Sequence, residues 1–233
     1  MRNHLRTARL TASLKQGRND WFKISNVTPT SAEVMIYDEI GYFGVTANDF
    51  VNQISALDVE ELTVKINSPG GEVFDGIAIY NALKDHKATV NVQIDGLAAS
   101  AASFIAQAGD TIAIQRNASM MIHDAAGLAI GNATDMRELA DLLDGASDNI
   151  ADIYSQRAGG TVDEWRAKMK ATTWYNNGQE AVDAGLADTV VGADKEAEPS
   201  NSWDLSIFNK RPVPDEPEID FDQISKALQE VRN

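Results

Sequence analysis

Segments typical of strands alternate with segments typical of helices along residues 32–191, and this order limits the fold more than any other feature of the sequence. Three segments alternate apolar and polar residues as half-buried strands do: AEVMIYD (32–38), ELTVKINS (61–68) and ATVNVQIDG (88–96). Two segments between them repeat apolar residues at helical spacing: TANDFVNQISAL (46–57) and VFDGIAIYNALKDH (73–86). Strands that are joined through helices usually pair in parallel, so the sequence predicts an α/β domain.

The alternation continues through the second half of the chain. The predicted elements are a helix at about residues 99–108, strands in DTIAIQ (110–115) and ASMMIHD (118–124), helices at 133–158 and 161–170, and a short helix followed by a last strand within 178–191. The long helix at 133–158 is predicted to be amphipathic. Its apolar residues at near-helical spacing are Met136, Leu139, Leu143, Ile150 and Ile153.

Both ends of the chain differ from this pattern. Residues 1–30 show no regular periodicity, and we predict an N-terminal arm there. Four of the six prolines fall after residue 193 among acidic residues, which is typical of a linker or tail. We therefore predict a folded domain at 31–193 and an acidic, proline-containing tail at 194–233. Within this tail, DFDQISKALQEV (220–231) has the spacing of a short helix.

The composition argues against several classes of function. A formal net charge of −15 repels phosphates, so we expect no nucleic-acid partner. The sequence has no run of about 18 apolar residues and no apolar leader, so we expect no membrane association and a cytoplasmic location. The chain has no cysteine, no clustered histidines and no Walker-type phosphate loop, so we expect neither a metal nor an organic cofactor.

Three features that could support catalysis follow predicted strands or begin helices. Gly70 and Gly71 in INSPGG would let backbone N–H groups approach a ligand closely, as an oxyanion hole requires. Ser100 in GLAASAAS lies at a predicted helix start, and His123 ends the strand-like MMIH. Each feature alone is better explained by turns and packing. Together they supply a nucleophile, a base and oxyanion donors.

The segments INSPGG, GLAASAASFIA, MMIHD and EAVDAGLAD occur in an order that resembles the proteolytic subunit of Clp protease (ClpP), a serine peptidase family. The resemblance covers about residues 30–192. It is closer to the ClpP-related head maturation proteases of tailed phages, which share GLAASAAS, MIHD and a segment like TTWYNNGQEAV. This resemblance implies stacked β-β-α units related to the crotonase fold, with a protruding handle helix at 133–158. It also implies homo-oligomeric rings that are joined through that helix.

The same resemblance assigns roles at the site. Ser100 matches the family nucleophile and His123 matches the general base. The backbone N–H groups of Gly71 and Ala101 match the oxyanion hole. Ser103 matches no catalytic position of the family, and we interpret it as a packing residue.

The third member of the triad is where this chain departs from the family. Depending on the alignment, either Thr172 or Thr173 stands where the family has an acid. A threonine hydroxyl can accept a hydrogen bond from imidazole but offers no charge to stabilise imidazolium, and losing the triad acid costs about 10⁴ in turnover in trypsin. Asp124 is a poor substitute, since adjacent strand residues point to opposite faces. Asp183 and Asp188 remain open as substitutes.

The resemblance therefore predicts a ring-forming serine endopeptidase, ATP-independent on its own, that processes phage capsid or scaffold proteins in head maturation. Its location would be the host cytoplasm, in part on the prohead. A housekeeping Clp proteolytic subunit, with an AAA+ unfoldase as partner, is the near alternative. The missing acid keeps open a weakly active protease or an inactive scaffolding ring. An acyl-CoA enzyme of the crotonase fold is a further alternative, but it leaves the serine and histidine motifs unexplained.

Overall fold

A computed structural model describes residues 22–41 and 46–192, and it arranges them around one mixed sheet. The strands are β1 (Phe22–Thr28), β2 (Ser31–Ile36), β3 (Glu61–Ser68), β4 (Thr89–Ala99), β5 (Thr111–Gln115), β6 (Ser119–Ile122), β7 (Thr173–Tyr175) and β8 (Thr189–Val191). The helices are α1 (Ala47–Ser55), α2 (Val73–Lys84), α3 (Ala101–Ala106), α4 (Ala133–Ala158), α5 (Val162–Lys170) and α6 (Gly178–Asp183). The predicted tail at 194–233, with its helix at 220–231, lies outside the described residues, as do residues 1–21.

Parallel pairing runs through the centre of the sheet. Strands β2, β3, β4, β5 and β8 are parallel neighbours in that order. The register aligns Val34, Val64 and Val92 across three strands, and all three side chains are buried. In β2, β3 and β5 every second residue is buried, which matches the period of a strand. The predicted α/β class with parallel pairing is confirmed.

Strand β1 corrects one prediction. We predicted an irregular arm over residues 1–30, but Phe22–Thr28 pairs antiparallel with β2 at the sheet edge. Phe22 is buried and meets Phe50 of α1 edge-on, with ring centroids 4.9 Å apart. Strand formation depends on pairing and packing with neighbours, and the apolar–polar alternation in FKISNVT is too short to predict a strand by itself.

Strand β4 changes partner along its length. Residues Asn91–Ile94 pair with β5, whereas Leu97–Ala99 pair with β6. The register against β3 shifts between these two parts. We predicted a helix from about residue 99, but the strand continues through Ala99 and the helix begins only at Ala101. The shift turns the end of β4 towards β6, and the candidate residues lie there.

Three of the described helices begin at capping boxes, and the long helix α4 packs on the core along only part of its length. Thr46, Asn132 and Thr161 each form a capping box at the start of α1, α4 and α5. The buried residues of α4 all lie in its second half, from Ala146 onward, while residues 133–138 are exposed. The long helix predicted at 133–158 is therefore present, and its first half extends beyond the core of its own subunit. None of the helices in the described residues is long and apolar enough to span a membrane.

Candidate active site

Three predicted site segments meet at one edge of the sheet. Each follows the carboxyl end of a parallel strand: Pro69–Gly71 follows β3, Ser100 follows β4, and His123 follows β6. Parallel strands end at a common edge, and α/β sheets generally bind their ligands there. The topology therefore brings together residues that lie more than 50 positions apart in the chain.

Ser100 occupies a sharp corner between β4 and α3. Its φ is 53° and its ψ is −123°, an uncommon conformation for a residue other than glycine. Its N–H donates to the Met121 carbonyl at 2.9 Å, which ties the corner to β6. The Ser100 Oγ lies 2.7 Å from His123 Nε2. A strained backbone held in place by its surroundings and a hydroxyl within hydrogen-bond reach of an imidazole are both typical of an activated serine.

Ser103 contributes more than the packing role that we predicted. It is fully buried, and its hydroxyl donates to the Ser100 carbonyl at 2.5 Å. The Tyr154 hydroxyl of α4 lies 2.7 Å from Ser103 Oγ. Because Ser103 already donates its one proton to the Ser100 carbonyl, Tyr154 is the donor in this second bond. Burial raises the pKa of Tyr154, so its phenol keeps that proton. This chain of hydrogen bonds supports the strained corner from below, and no local sequence signal points to it.

The glycine pair is held against both the Ser100 corner and Ile40, which follows β2 and forms an isolated bridge with Gly71. Gly70 has φ +97°, and a Cβ there would lie 2.6 Å from the Ser100 Cβ and 2.8 Å from the Ala101 nitrogen. Ile40 brackets the pair, since its N–H donates to the Gly70 carbonyl and its carbonyl accepts from Glu72. Within the described residues, the N–H groups of Gly71 and Ala101 donate to no other backbone group. Both remain available to a developing oxyanion.

His123 is held in its neutral form. Burial lowers the pKa of His123 below its usual 6.5, while a hydrogen bond with the Asp124 backbone and the charge of Asp124 oppose this shift in part. A hydrogen bond that raises the pKa of a base is one that the base donates, so the Asp124 carbonyl is the acceptor. Because Nε2 faces Ser100, Nδ1 is the nitrogen left for that bond. This tautomer leaves Nε2 free to accept the proton of Ser100.

In the part of the chain that the structure describes, a threonine lies where the family has its triad acid. Strand β7 runs antiparallel to β6, and their last pair is Ile122 with Thr173. Continued by one residue beyond the strands, this register would place Thr172 opposite His123. The Thr173 hydroxyl instead donates to the Lys168 carbonyl at 2.8 Å. Register therefore favours Thr172 over Thr173 as the residue facing the base. Thr172 has φ +54°, which is rare for a β-branched residue.

The three aspartates considered as substitutes are engaged elsewhere. The Asp124 carboxylate accepts from Arg166 at 2.9 Å. Asp183 accepts from Gln179 at 2.8 Å. Asp188 accepts from Arg157 at 2.6 Å and from the Ile112 N–H at 2.7 Å. The site is therefore a serine–histidine pair beside a threonine.

Known proteins with similar sequences belong to one family. The sequence matches the Clp protease family over residues 16–194. ATP-dependent Clp protease proteolytic subunit 1 of Prochlorococcus marinus subsp. pastoris is 33% identical over 152 residues, which are 63% of this chain and 77% of that protein. The corresponding subunit of the NATL2A strain is 29% identical over 174 residues, 72% of this chain and 80% of that protein. The proteolytic subunit of Pleurastrum terricola is 33% identical over 155 residues, 62% of this chain and 78% of that protein.

The chain belongs to the Clp protease family and is a serine peptidase of the ClpP type. The α/β fold predicted from the family resemblance is confirmed. The three relatives described above are named as ATP-dependent Clp subunits, and none of the three is a phage head protease.

Proposed function

We propose that this protein is a serine endopeptidase that works as a Clp-type proteolytic subunit, with Ser100 as nucleophile and His123 as general base. The observation that carries the proposal is the 2.7 Å contact between Ser100 Oγ and His123 Nε2. This contact occurs on a strained corner next to unoccupied backbone donors, in a chain of the Clp protease family.

The reaction follows the usual sequence of acyl transfer. Ser100 Oγ attacks the peptide carbonyl carbon and gives its proton to His123 Nε2, while the Gly71 and Ala101 N–H groups stabilise the oxyanion. The carbon–nitrogen bond then breaks, and His123 returns the proton to the leaving amine. Water, deprotonated by the same ring, attacks the acyl-enzyme and releases a carboxylic acid and free Ser100. Thr172 provides no charge for the imidazolium, so we expect a slow enzyme.

A homo-oligomeric ring is part of the proposal. The first half of α4 extends beyond its own core, and the segment before it exposes two large apolar side chains, Leu128 at 91% and Ile130 at 95%. Exposed apolar residues of this extent usually mark a contact with another protein. A second subunit, paired through α4 as the family handle helix, is the occupant that we propose.

The proposed substrates are unfolded proteins and peptides. The relatives are named as ATP-dependent, while this sequence has no Walker-type phosphate loop. We therefore propose that an AAA+ unfoldase supplies the ATP-driven step as a separate partner. Processing of phage capsid or scaffold proteins is a narrower proposal that depends on the segments GLAASAAS and TTWYNNGQEAV. It ranks second, because the relatives favour the general Clp role.

A fluorophosphonate probe followed by intact mass tests the serine. We expect one adduct on the wild-type protein and none on Ser100→Ala. Ser119→Ala is the matched control, since Ser119 begins the strand that leads to His123 but its hydroxyl donates to the Asn176 carbonyl at 3.1 Å. This control should label as wild type does. A folded, assembled wild-type protein that takes up no probe would contradict the protease proposal and favour the scaffolding ring.

A further inference from the structure

Arg166 of α5 is the most heavily paired cation in the described part of the chain. It is only 7% exposed. Because arginine is rarely buried without a charged partner, this burial requires ion pairs. Each side of its guanidinium meets a different carboxylate. Nη1 lies 2.9 Å from Asp124, Nη2 lies 2.8 Å from Asp144, and Nε lies 3.0 Å from Asp148. Three partners in three directions fix the plane of the guanidinium.

The three ion pairs are not equivalent. The side chains of Asp144 and Asp148 on α4 are 72% and 63% exposed, so water and salt screen their pairs with Arg166. Asp124 is 30% exposed and directly follows His123 in the chain. The least screened of the three contacts is therefore the one next to the base.

A second contact holds the same segment. The Ala125 N–H donates to Ser147 Oγ of α4 at 2.9 Å, and Ser147, 1% exposed, donates in turn to the Leu143 carbonyl at 2.8 Å. The two residues after His123 are thus fastened to α4 and α5 through one side-chain contact and one backbone contact. Rotating the peptide between them would break the Ala125 N–H bond to Ser147, and shifting Asp124 would break its pair with Arg166.

We propose that Arg166 is a positioning residue for His123: it fixes Asp124, and thereby holds the imidazole towards Ser100. This inference rests on the proposed serine peptidase function. It goes beyond that function because it assigns the orientation of the His123 ring to Arg166. In a complete triad the acid holds the ring from its far side. Here the peptide after the ring is held by an arginine on a neighbouring helix.

The first test compares labelling rates of the full-length protein. Arg166→Met should lower the rate of fluorophosphonate labelling per folded molecule by about 10- to 100-fold, because small displacements of a catalytic group cost that much. Arg166→Lys keeps the positive charge but loses the planar guanidinium that pairs with three carboxylates. It should recover part of the labelling rate that Arg166→Met loses. Asp144→Asn and Asp148→Asn should stay within about threefold of wild type, because their pairs with Arg166 are screened.

Arg157→Met is the matched control for a purely structural loss. Arg157 is also partly buried, with an 18% exposed side chain that pairs with Asp188 and donates to the Gly109 carbonyl at 3.0 Å. Its loss should lower stability without changing the labelling rate of the folded protein. If Arg166→Met folds and labels as wild type does, the proposal is wrong.

A second readout does not depend on catalysis. Ring-¹⁵N histidine labelling follows three residues, and His123→Gln assigns the signal of the base. The charged groups around the ring are Asp124 and, behind it, Arg166 with Asp144 and Asp148. Removing Arg166 leaves Asp124 uncompensated, so the titration midpoint of His123 should rise in Arg166→Met and should stay at the wild-type value in Arg157→Met.

The two readouts separate the two claims. A wild-type protein that does not label, but whose His123 midpoint rises in Arg166→Met, contradicts the protease function and supports the positioning role. An unchanged midpoint in a folded Arg166→Met protein overturns the positioning role. If Arg166→Met does not fold, Arg166→Lys and Asp124→Asn take its place, and wild-type labelling and midpoints in both overturn the proposal.

Discussion

The two sides of the Ser100–His123 pair are built in different ways. On the serine side, the corner is fixed by backbone hydrogen bonds, by two glycines and by the buried Ser103–Tyr154 contact. On the histidine side, the support comes from the buried Arg166 and its partly exposed carboxylate partners. The contacts on the serine side are between uncharged groups, so we expect salt to affect them less than the ion pairs on the histidine side. The difference indicates that the nucleophile is preorganised and that the orientation of the base is the weaker part of the site.

The largest expected effect comes from giving the histidine side its acid. Thr172→Asp should raise the labelling rate by about 10²-fold, within the limit of about 10⁴ that a triad acid contributes in trypsin. Aspartate also tolerates a positive φ better than threonine, so the thermal midpoint should not fall. Labelling kinetics measure the rate, with steady-state peptide hydrolysis as a second assay of activity. Thermal unfolding measures the midpoint.

Two variants control this gain. Thr172→Asn lowers the strain of the positive φ as aspartate does, but it adds no charge. The labelling rate of Thr172→Asn should therefore stay near that of wild type. Thr173→Asp places the charge at the neighbouring position, whose side chain points to the Lys168 carbonyl. An equal gain in Thr173→Asp would show that the register argument for Thr172 is wrong.

The next effect tests the serine side. Gly70→Ala should reduce labelling by about 10²-fold, because its Cβ would lie 2.6 Å from the Ser100 Cβ and must displace the corner. Gly159→Ala is matched to it, since Gly159 also has a positive φ (+75°) but an added Cβ meets nothing within 4 Å. Labelling rates of the two variants separate displacement of Ser100 from backbone strain. A similar loss in both would contradict the packing explanation.

A smaller, pH-dependent effect follows from the buried base. Only neutral His123 can accept the Ser100 proton, and burial lowers its pKa below 6.5. The rate should therefore be constant from neutral pH down to that lowered pKa and then fall about tenfold per pH unit. A labelling profile from pH 4 to pH 8, restricted to pH values at which the protein is folded, measures this limb. A midpoint above 6.5 would mean that the ring is not desolvated as described.

The smallest effect is expected for Tyr154→Phe. The change removes one buried hydrogen bond and leaves the Ser103 bond to the Ser100 carbonyl. The free energy of unfolding should therefore fall by about 1 kcal/mol. Ser103→Ala should cost more, because it leaves the Tyr154 hydroxyl without a partner in the core. Denaturant unfolding of both variants gives the comparison, and equal losses would argue against the hydrogen-bond chain.

The sequence predicted the serine side better than the histidine side, and the reason is physical. Strand endings, helix starts and glycine pairs are local, so Gly70, Gly71 and Ser100 are visible in short motifs. The strand β7 has three residues and was not predicted, so the choice between Thr172 and Thr173 had to wait for the pairing of β7 with β6. Arg166 meets Asp124 across 42 positions, and no periodicity predicts such a contact.

The register shift in β4 determines which way the chain faces when it reaches Ser100. Between Ile66 and Ser68, strand β3 advances by two residues, while β4 advances by four, from Ile94 to Ala98. The surplus is thus two residues, an even number, so Ala98 faces the same side as Ile94 and both are fully buried. Deleting one residue from 95–97 would reverse this parity and exchange the two faces of the end of β4, whereas deleting two would keep the parity but draw Ser100 back by about 6–7 Å. The position of Ser100 along the strand and the face of the sheet to which the β4 side chains point are therefore separate properties. Residues 95–97 determine both.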